Sequence, residues 1–252
     1  MERITSRKNP LIQHLRSLCS SRSYRREAGE FLCDGEKMLE EALQFGADIK
    51  NVLWREGSDA RSIPGSCLVP AELLQYVSSM ENSPGPVFSV SIPEPVLQDT
   101  ADRVIVLENL QDPGNVGTVL RSASAFGIDL VVLTGACADL YNPKTVRSTM
   151  GALFRQKTLE LTLEELSVFL KEARMPLIGA ALLPGAGDVR NSLPARCAVA
   201  IGNEGHGLSH ELLNICDKTV IIPMQPCSES LNASVAASVI MWEMVRNNGE
   251  AC

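Results

Sequence analysis

The run Asp129 to Gly135, DLVVLTG, is apolar at four successive positions and closes on a glycine. A strand with apolar side chains on both faces offers neither face to water. It must be covered on both sides, the condition of a parallel sheet layered between helices. The surrounding sequence supplies those layers. RVIVLENL (Arg103 to Leu110) and CAVAIGNEG (Cys197 to Gly205) are strands of the same kind that run into polar loops, and PLIGAAL and KTVIIPM (Lys218 to Met224) are two more. Between them NVGTVLRSASAF spaces Val116, Val119, Leu120 and Ala123 at helical intervals, and LTLEELSVFLKEARM holds another helix. SHELLNICD is a helix with Ser209 as its N-cap, and LNASVAASVIMWEMVRN (Leu231 to Asn247) is a long closing helix. This alternation predicts an α/β domain on a parallel sheet.

The first hundred residues alternate less strongly. LIQHLRSL spaces Leu11, Leu15 and Leu18 as a helix, and FLCDG (Phe31 to Gly35) reads as a short buried strand. EKMLEEALQFG predicts a helix with Met38, Leu39, Ala42 and Leu43 on one face and Gly46 as its stop. NVLW is a strand and AELLQYVSSM (Ala71 to Met80) a helix, so this part is a small α/β module. In SPGPVFSVSIPEP four prolines (Pro84, Pro86, Pro93, Pro95) fall within a dozen residues. The stretch reads as a linker that holds at most an edge strand, and the domain break is expected near residue 97, giving domains 1–97 and 98–252.

The chain has 252 residues, 45% of them hydrophobic and only 4% aromatic, so aliphatic side chains must fill its core. The basic, polar N-terminus carries no signal-peptide pattern, and no apolar run reaches the roughly 18 residues of a membrane span. A soluble cytoplasmic protein is the expectation. The eight cysteines (Cys19, Cys33, Cys67, Cys137, Cys197, Cys216, Cys227, Cys252) form no C-x-x-C pair, which argues for free thiols rather than a zinc site or a disulfide framework. The net charge of −7 speaks against a nucleic-acid partner, but its distribution does not. Residues 1 to 26 hold seven cations (Arg3, Arg7, Lys8, Arg16, Arg22, Arg25, Arg26) against one acid, Glu2, with Tyr24 among the arginines. A basic arm on an acidic body suits RNA, and equally a solvated helix face.

Three loops follow predicted strands, where ligands bind in open α/β sheets: 108 to 121, 201 to 208 and 222 to 232. In the first, Pro113 and Gly114 force a turn, Asn115 stands at the helix start, and Arg121 lies on the helix's polar side beside Thr118. An arginine there can hold a phosphate; the plainer reading is an N-cap asparagine and a solvated cation. In the second, IGNEGHGLS, glycines admit close backbone approach, but neither the dinucleotide fingerprint nor the P-loop is present. His206 and His210 share a helical spacing without a third ligand, so no metal is expected. In the third, Ser230 or Asn232 can cap the last helix, whose small residues (Ala233, Ser234, Ala236, Ala237, Ser238) permit tight packing. No nucleophile elbow, Cys–His pair or carboxylate pair supports a hydrolase.

Taken together, DPGNVGTVLRSASAFG, IGNEGHGLS and IPMQPCSESLNASVAAS resemble the three signature motifs of the SpoU (TrmH-type) family of RNA 2′-O-ribose methyltransferases, of the SPOUT class. ADLYNPKTVRSTMGALFR (Ala138 to Arg155) is similar to the segment that family carries after its second strand. Thr149 stands where serine is common and Pro226 where glycine is common. The resemblance runs from about residue 103 to 247, and the N-terminal ITSRKNPLIQHLRSL…FLCDGEKMLEEAL looks like the family's small substrate-binding domain, related to an RNA-binding ribosomal protein fold. It implies a C-terminal methyltransferase domain with a deep trefoil knot, which the strand pattern alone does not show. It also implies S-adenosylmethionine as cofactor, contacted by Gly202, Ile222 and Leu231, and a homodimer through the knotted domain. Asn115, Arg121, Glu204, Ser230 and Asn232 would form the polar, catalytic site.

The family counterpart of Arg121 is a candidate base, yet arginine stays protonated at neutral pH, and a phosphate clamp that also stabilises developing alkoxide charge suits it better. Asn115 would orient Arg121 or the ribose, and Glu204 would anchor its loop through backbone donors. The implied reaction is methylation of a ribose 2′-hydroxyl in structured RNA. The N-terminal domain and the absence of an extension past the last helix point to ribosomal rather than transfer RNA. Alternatives are a tRNA 2′-O-methyltransferase, a non-catalytic RNA-binding protein with a methyltransferase-like domain, and a nucleotide-dependent oxidoreductase, against which the missing fingerprint speaks.

Overall fold

The computed structural model describes residues 1–94, 101–225 and 230–246. The chain divides into two compact units: one takes Met1–Glu94 together with Asp139–Arg155, the other the remaining residues.

The first unit is built on five strands, β1 (Glu2–Arg3), β2 (Glu30–Asp34), β3 (Ile49–Arg55), β4 (Ser66–Val69) and β5 (Val87–Ser91), in the order β1-β4-β3-β5-β2. β4 runs parallel to β1 and β3, and β5 antiparallel to β3 and β2. Helices α1 (Pro10–Ser20), α2 (Arg22–Ala28), α3 (Glu36–Gln44) and α4 (Ala71–Val77) complete it. Alternation along β2 sends Leu32 into a cluster with Ile12, Leu15 and Leu18 of α1 and Leu73 and Leu74 of α4. Its neighbour Phe31 points the other way, against the rings of Tyr141 and Phe154 at 4.9 and 6.4 Å. The sheet is thus covered on both faces, and the second cover comes from the segment 139–155.

The SPGPVFSVSIPEP stretch corrects the reading of a linker with an edge strand. β5 lies inside the sheet, and Val87, Phe88, Ser89 and Val90 are buried. The prolines bracket the strand instead of interrupting it, so no ladder N–H is missing within β5. Two smaller expectations also change. Leu43 is 44% exposed, off the face formed by Met38, Leu39 and Ala42, and α4 ends at Val77, where the Ser78 hydroxyl accepts from Met80 N at 2.9 Å. The expected break near residue 97, and Pro95, lie outside the described residues.

The second unit carries β6 (Arg103–Glu108), α5 (Pro113–Ala125) and β7 (Leu130–Thr134). After β7 the chain contributes α6 (Pro143–Ser148) and a 3₁₀ turn (Ala152–Phe154) to the first unit. It then continues as β8 (Thr158–Glu160), α7 (Leu163–Glu172), β9 (Leu177–Ala180), β10 (Gly187–Asp188), α8 (Val189–Ser192), β11 (Cys197–Ile201), α9 (His210–Asn214), β12 (Lys218–Ile221) and α10 (Ala233–Arg246). All seven strands are parallel, in the order β10-β12-β9-β11-β6-β7-β8. Along β6, Val104 and Val106 pack with Leu166 and Leu170 of α7 and Leu212 of α9, and the alternating Ile105 and Leu107 are fully buried as well. This is the double covering that DLVVLTG demands. Because the ladder is parallel, the carboxyl ends of β6, β9, β11 and β12 lie along one edge, with Leu107 paired to Ile201 and Ala180 to Val220.

Candidate active site

The loops leaving that edge are the three singled out in the sequence. The first starts at Glu108, a carboxylate only 5% exposed at the end of an apolar strand. It accepts from the Ser209 backbone N–H at 2.7 Å and the Ser209 hydroxyl at 2.5 Å, so it holds the start of α9 from β6. Ser209 Oγ in turn accepts from Leu212 N at 3.1 Å, the N-cap expected from sequence. At α5 the cap is Asp112, whose Oδ1 accepts from Asn115 N at 2.9 Å, with Pro113 filling the first helical position. This removes the plainer reading of Asn115. It is no helix cap, and its side chain is free for another task.

The second loop turns back on itself: Asn203 and Gly207 exchange backbone hydrogen bonds at 3.0 and 2.9 Å. Asn203 Oδ1 accepts from Gly205 N at 2.8 Å and His206 N at 3.3 Å, and its Nδ2 donates to the Asn109 carbonyl at 2.9 Å. A Cβ on Gly202 would stand 2.2 Å from the Gly207 carbonyl carbon, so only glycine allows the fold-back. The backbone N–H groups of Gly205 and His206 go to Asn203 and that of Ser209 to Glu108, while Glu204 accepts from Asn115 Nδ2 at 2.7 Å. The third loop contributes Asn232, whose Nδ2 donates to Asn115 Oδ1 at 3.1 Å and whose Oδ1 caps α10 by accepting from Ser234 N at 2.9 Å. Side-chain hydrogen bonds therefore connect all three loops. Pro226 and Cys227, on the same loop, lie outside the described residues, as do Asn247 and Cys252.

Beneath these contacts lies a cavity of about 460 Å³. Gly202, Glu204, His206, Ile222, Ser230 and Leu231 line it, with Ala180 to Leu183, Val220 and Ile240 behind. Aliphatic side chains from two sides with loop backbone between them suit a ligand that has a flat apolar part and polar edges. Five of the eight residues singled out in the sequence thus reach the cavity, and Asn115 and Asn232 reach it through Glu204. Arg121 does not. It is exposed, six residues beyond Asn115 and hence about 120° around the helix from it. Among the described residues it has no hydrogen-bond or ion-pair partner.

Other chemistries find less support. Among the described residues no group of three or more His, Cys, Asp or Glu is placed to hold a metal ion. Burial pushes the Cys197 and Cys216 thiols up to about 11, so neither supplies a thiolate at neutral pH. Sequence reasoning missed Glu108, Asp112 and Asn203. Glu108 had a signal, a lone carboxylate closing an apolar strand.

The family model for the SpoU rRNA Methylase family matches residues 102–242. The chain belongs to that family. This SpoU-family chain is 32% identical over 251 residues to the 23S rRNA (guanosine(2553)-2′-O)-methyltransferase RlmP of Bacillus subtilis, covering 97% of this chain and 99% of the relative. It is 32% identical to the 23S rRNA (uridine(2479)-2′-O)-methyltransferase of Streptomyces viridochromogenes, covering 97% and 92%. Among solved structures, the SpoU methyltransferase AviRb of Streptomyces viridochromogenes in complex with AdoMet superposes with a TM-score of 0.88 at 29% identity, covering 96% of this chain and 98% of AviRb. The α/β architecture with its parallel sheet is therefore that of the SpoU methyltransferases.

Proposed function

We propose that this SpoU-family chain methylates a ribose 2′-hydroxyl of ribosomal RNA with S-adenosylmethionine as the methyl donor. One observation carries the reading: the second and third family motifs line a single cavity beside a fold-back that only glycine permits at position 202, and the first motif is tied to its wall through the Asn115–Glu204 hydrogen bond. The near full-length relatives named as 23S rRNA 2′-O-methyltransferases support the RNA class. The cavity residues fit the cofactor, with Gly202, Ile222 and Leu231 to hold it and Ser230 and Glu204 as polar groups at its rim. When bound, the cofactor supplies an activated methyl group. The protein's part is to place the ribose hydroxyl and stabilise the charge that develops on it. Arg121 clamps a phosphate beside that hydroxyl with its planar guanidinium fork, and Asn115 orients the ribose.

The same reading includes a trefoil knot in the C-terminal half, a cytoplasmic location and a homodimer through the knotted domain. α10 supports the dimer: Val235 and Trp242 are each 48% exposed and lie seven residues apart on one helix face. No helix among the described residues is long and apolar enough to cross a membrane.

Calorimetry with S-adenosylmethionine tests the cofactor site. The wild-type chain should bind, and Gly202→Val, whose branched side chain has no room beside Gly207, should lose measurable binding. Undiminished affinity in that variant would refute the placement. Transfer of labelled methyl to ribosomal RNA, followed by mapping of 2′-O-methyl positions, tests the substrate; labelling confined to transfer RNA would favour the tRNA alternative.

A further inference from the structure

Glu204, Asn115 and Asn232 stand on three separate segments, Asn115 in the first turn of α5 and the other two in loops, yet the direction of every hydrogen bond among them follows from one end. One amide atom of Asn232 receives the Ser234 backbone N–H at 2.9 Å, the Ser234 hydroxyl at 2.7 Å and the Val235 N–H at 3.3 Å. A backbone N–H can only donate, so that atom is the oxygen, and the atom facing Asn115 is the NH₂. It donates to Asn115 Oδ1 at 3.1 Å. The Asn115 NH₂ is thereby turned toward Glu204, whose Oε1 accepts it at 2.7 Å. Asn115 is left with one N–H and one lone pair, in an orientation it does not choose itself.

We propose that Glu204 and Asn232 are positioning residues that fix the amide orientation of Asn115, through a relay whose polarity is set at the N-terminus of α10. Glu204 is part of the cavity wall and Asn115 sits on the helix that carries Arg121. The relay therefore ties the wall of the cofactor site to the helix that presents the arginine. The role in the reaction rests on the methyltransferase reading above; the relay itself does not.

The polarity can be inverted in the full-length protein. Asn232→Asp keeps a side-chain oxygen that caps α10 as well as asparagine does, so the helix start is not the thing tested. It makes the atom facing Asn115 an acceptor. Asn115 must then flip, and its carbonyl meets the Glu204 carboxylate. Glu204→Gln removes that clash, because a glutamine NH₂ can donate to the flipped carbonyl.

Three measurements decide the matter. The thermal midpoint of the cofactor-free protein should fall by several degrees in N232D, stay within about a degree in E204Q, and recover by at least half in N232D/E204Q. The Asn115 side-chain NH₂ resonances should shift in N232D and stay shifted in the double variant. Turnover in the double variant should remain at least tenfold below wild type, because Asn115 stays inverted. A double variant no more stable than N232D would overturn the relay. One that regains both stability and turnover would overturn the positioning role, since the orientation of Asn115 would then not matter. Absence of S-adenosylmethionine binding by the wild type would count against the proposed function, while the midpoint comparison still decides the relay.

Discussion

Arg121 is the residue on which the proposed chemistry leans most, and the structure sets it apart from the other candidate site residues. It projects into solvent from α5 with no partner among the described residues, whereas Asn115 on the same helix is held from two sides. A cation kept unpaired near a site is available to a substrate anion. If Arg121 acts on the reacting ribose or its phosphate, Arg121→Ala should fold and bind S-adenosylmethionine normally, while turnover drops by about 100-fold or more. Arg121→Lys should recover little, because lysine keeps the charge but lacks the planar fork. Single-turnover methylation with saturating RNA separates the chemical step from binding. A near-normal rate in Arg121→Ala would move the site to Asn232 and Ser230.

At the scale of elements, the two periodicities were legible wherever they ran long enough. β6, β7, β9 and β11 announced a parallel sheet because the positions inside them are apolar on both faces, and α5 showed its buried stripe. Short pieces were not legible. α2 is the polar heptapeptide RSYRREA and α6 the hexapeptide PKTVRS, and both are held by tertiary contacts that no local pattern reports. The site behaved likewise. Motif resemblance supplied its residues, but Asn115 meets Glu204 and Asn232 across 89 and 117 positions, so their connection appears only in three dimensions. Where local chemistry alone decides, the prediction is simple. Thr162 Oγ1 accepts from Glu165 N at 3.2 Å and the Glu165 carboxylate accepts from Thr162 N at 2.8 Å, a capping box at the start of α7. Thr162→Ala should cost about 1 kcal/mol. That lowers the thermal midpoint by roughly 2–4 °C in a chain of this size. α10 allows a second test. Trp242 packs tilted against Phe126 at 5.9 Å and yet is half exposed, and the proposed dimer would cover it. Light scattering of the wild type should give twice the 27.3 kDa chain mass, and Trp242→Glu should shift it toward one chain. A monomeric wild type that still turns over would end the dimer reading.

At the scale of the whole molecule, the order of the chain and the order of its units differ. The segment Asp139–Arg155 follows β7 of the second unit but belongs to the first, and one buried ion pair fastens it there. Arg25, part of the basic arm that the sequence left equally open to RNA or to a solvated helix face, is only 3% exposed. Its Nη2 and Nε donate to Asp139 Oδ2 at 2.5 and 3.2 Å and its Nη1 to the Leu18 carbonyl at 2.7 Å, so it is a structural residue and not a phosphate contact. The arm is spent elsewhere too: Arg3 pairs with Glu56, and Arg16 donates to the Tyr76 carbonyl. Removing one partner from a buried pair strands the other charge away from water, which typically costs about 3–5 kcal/mol. Asp139→Ala should therefore destabilise residues a hundred positions earlier. Hydrogen exchange should show protection lost in α1, α2 and β2, with β6, β9 and β11 unchanged. The opposite pattern, loss confined to the strands that flank the segment in sequence, would show that the segment stabilises the second unit and that the division between units runs elsewhere.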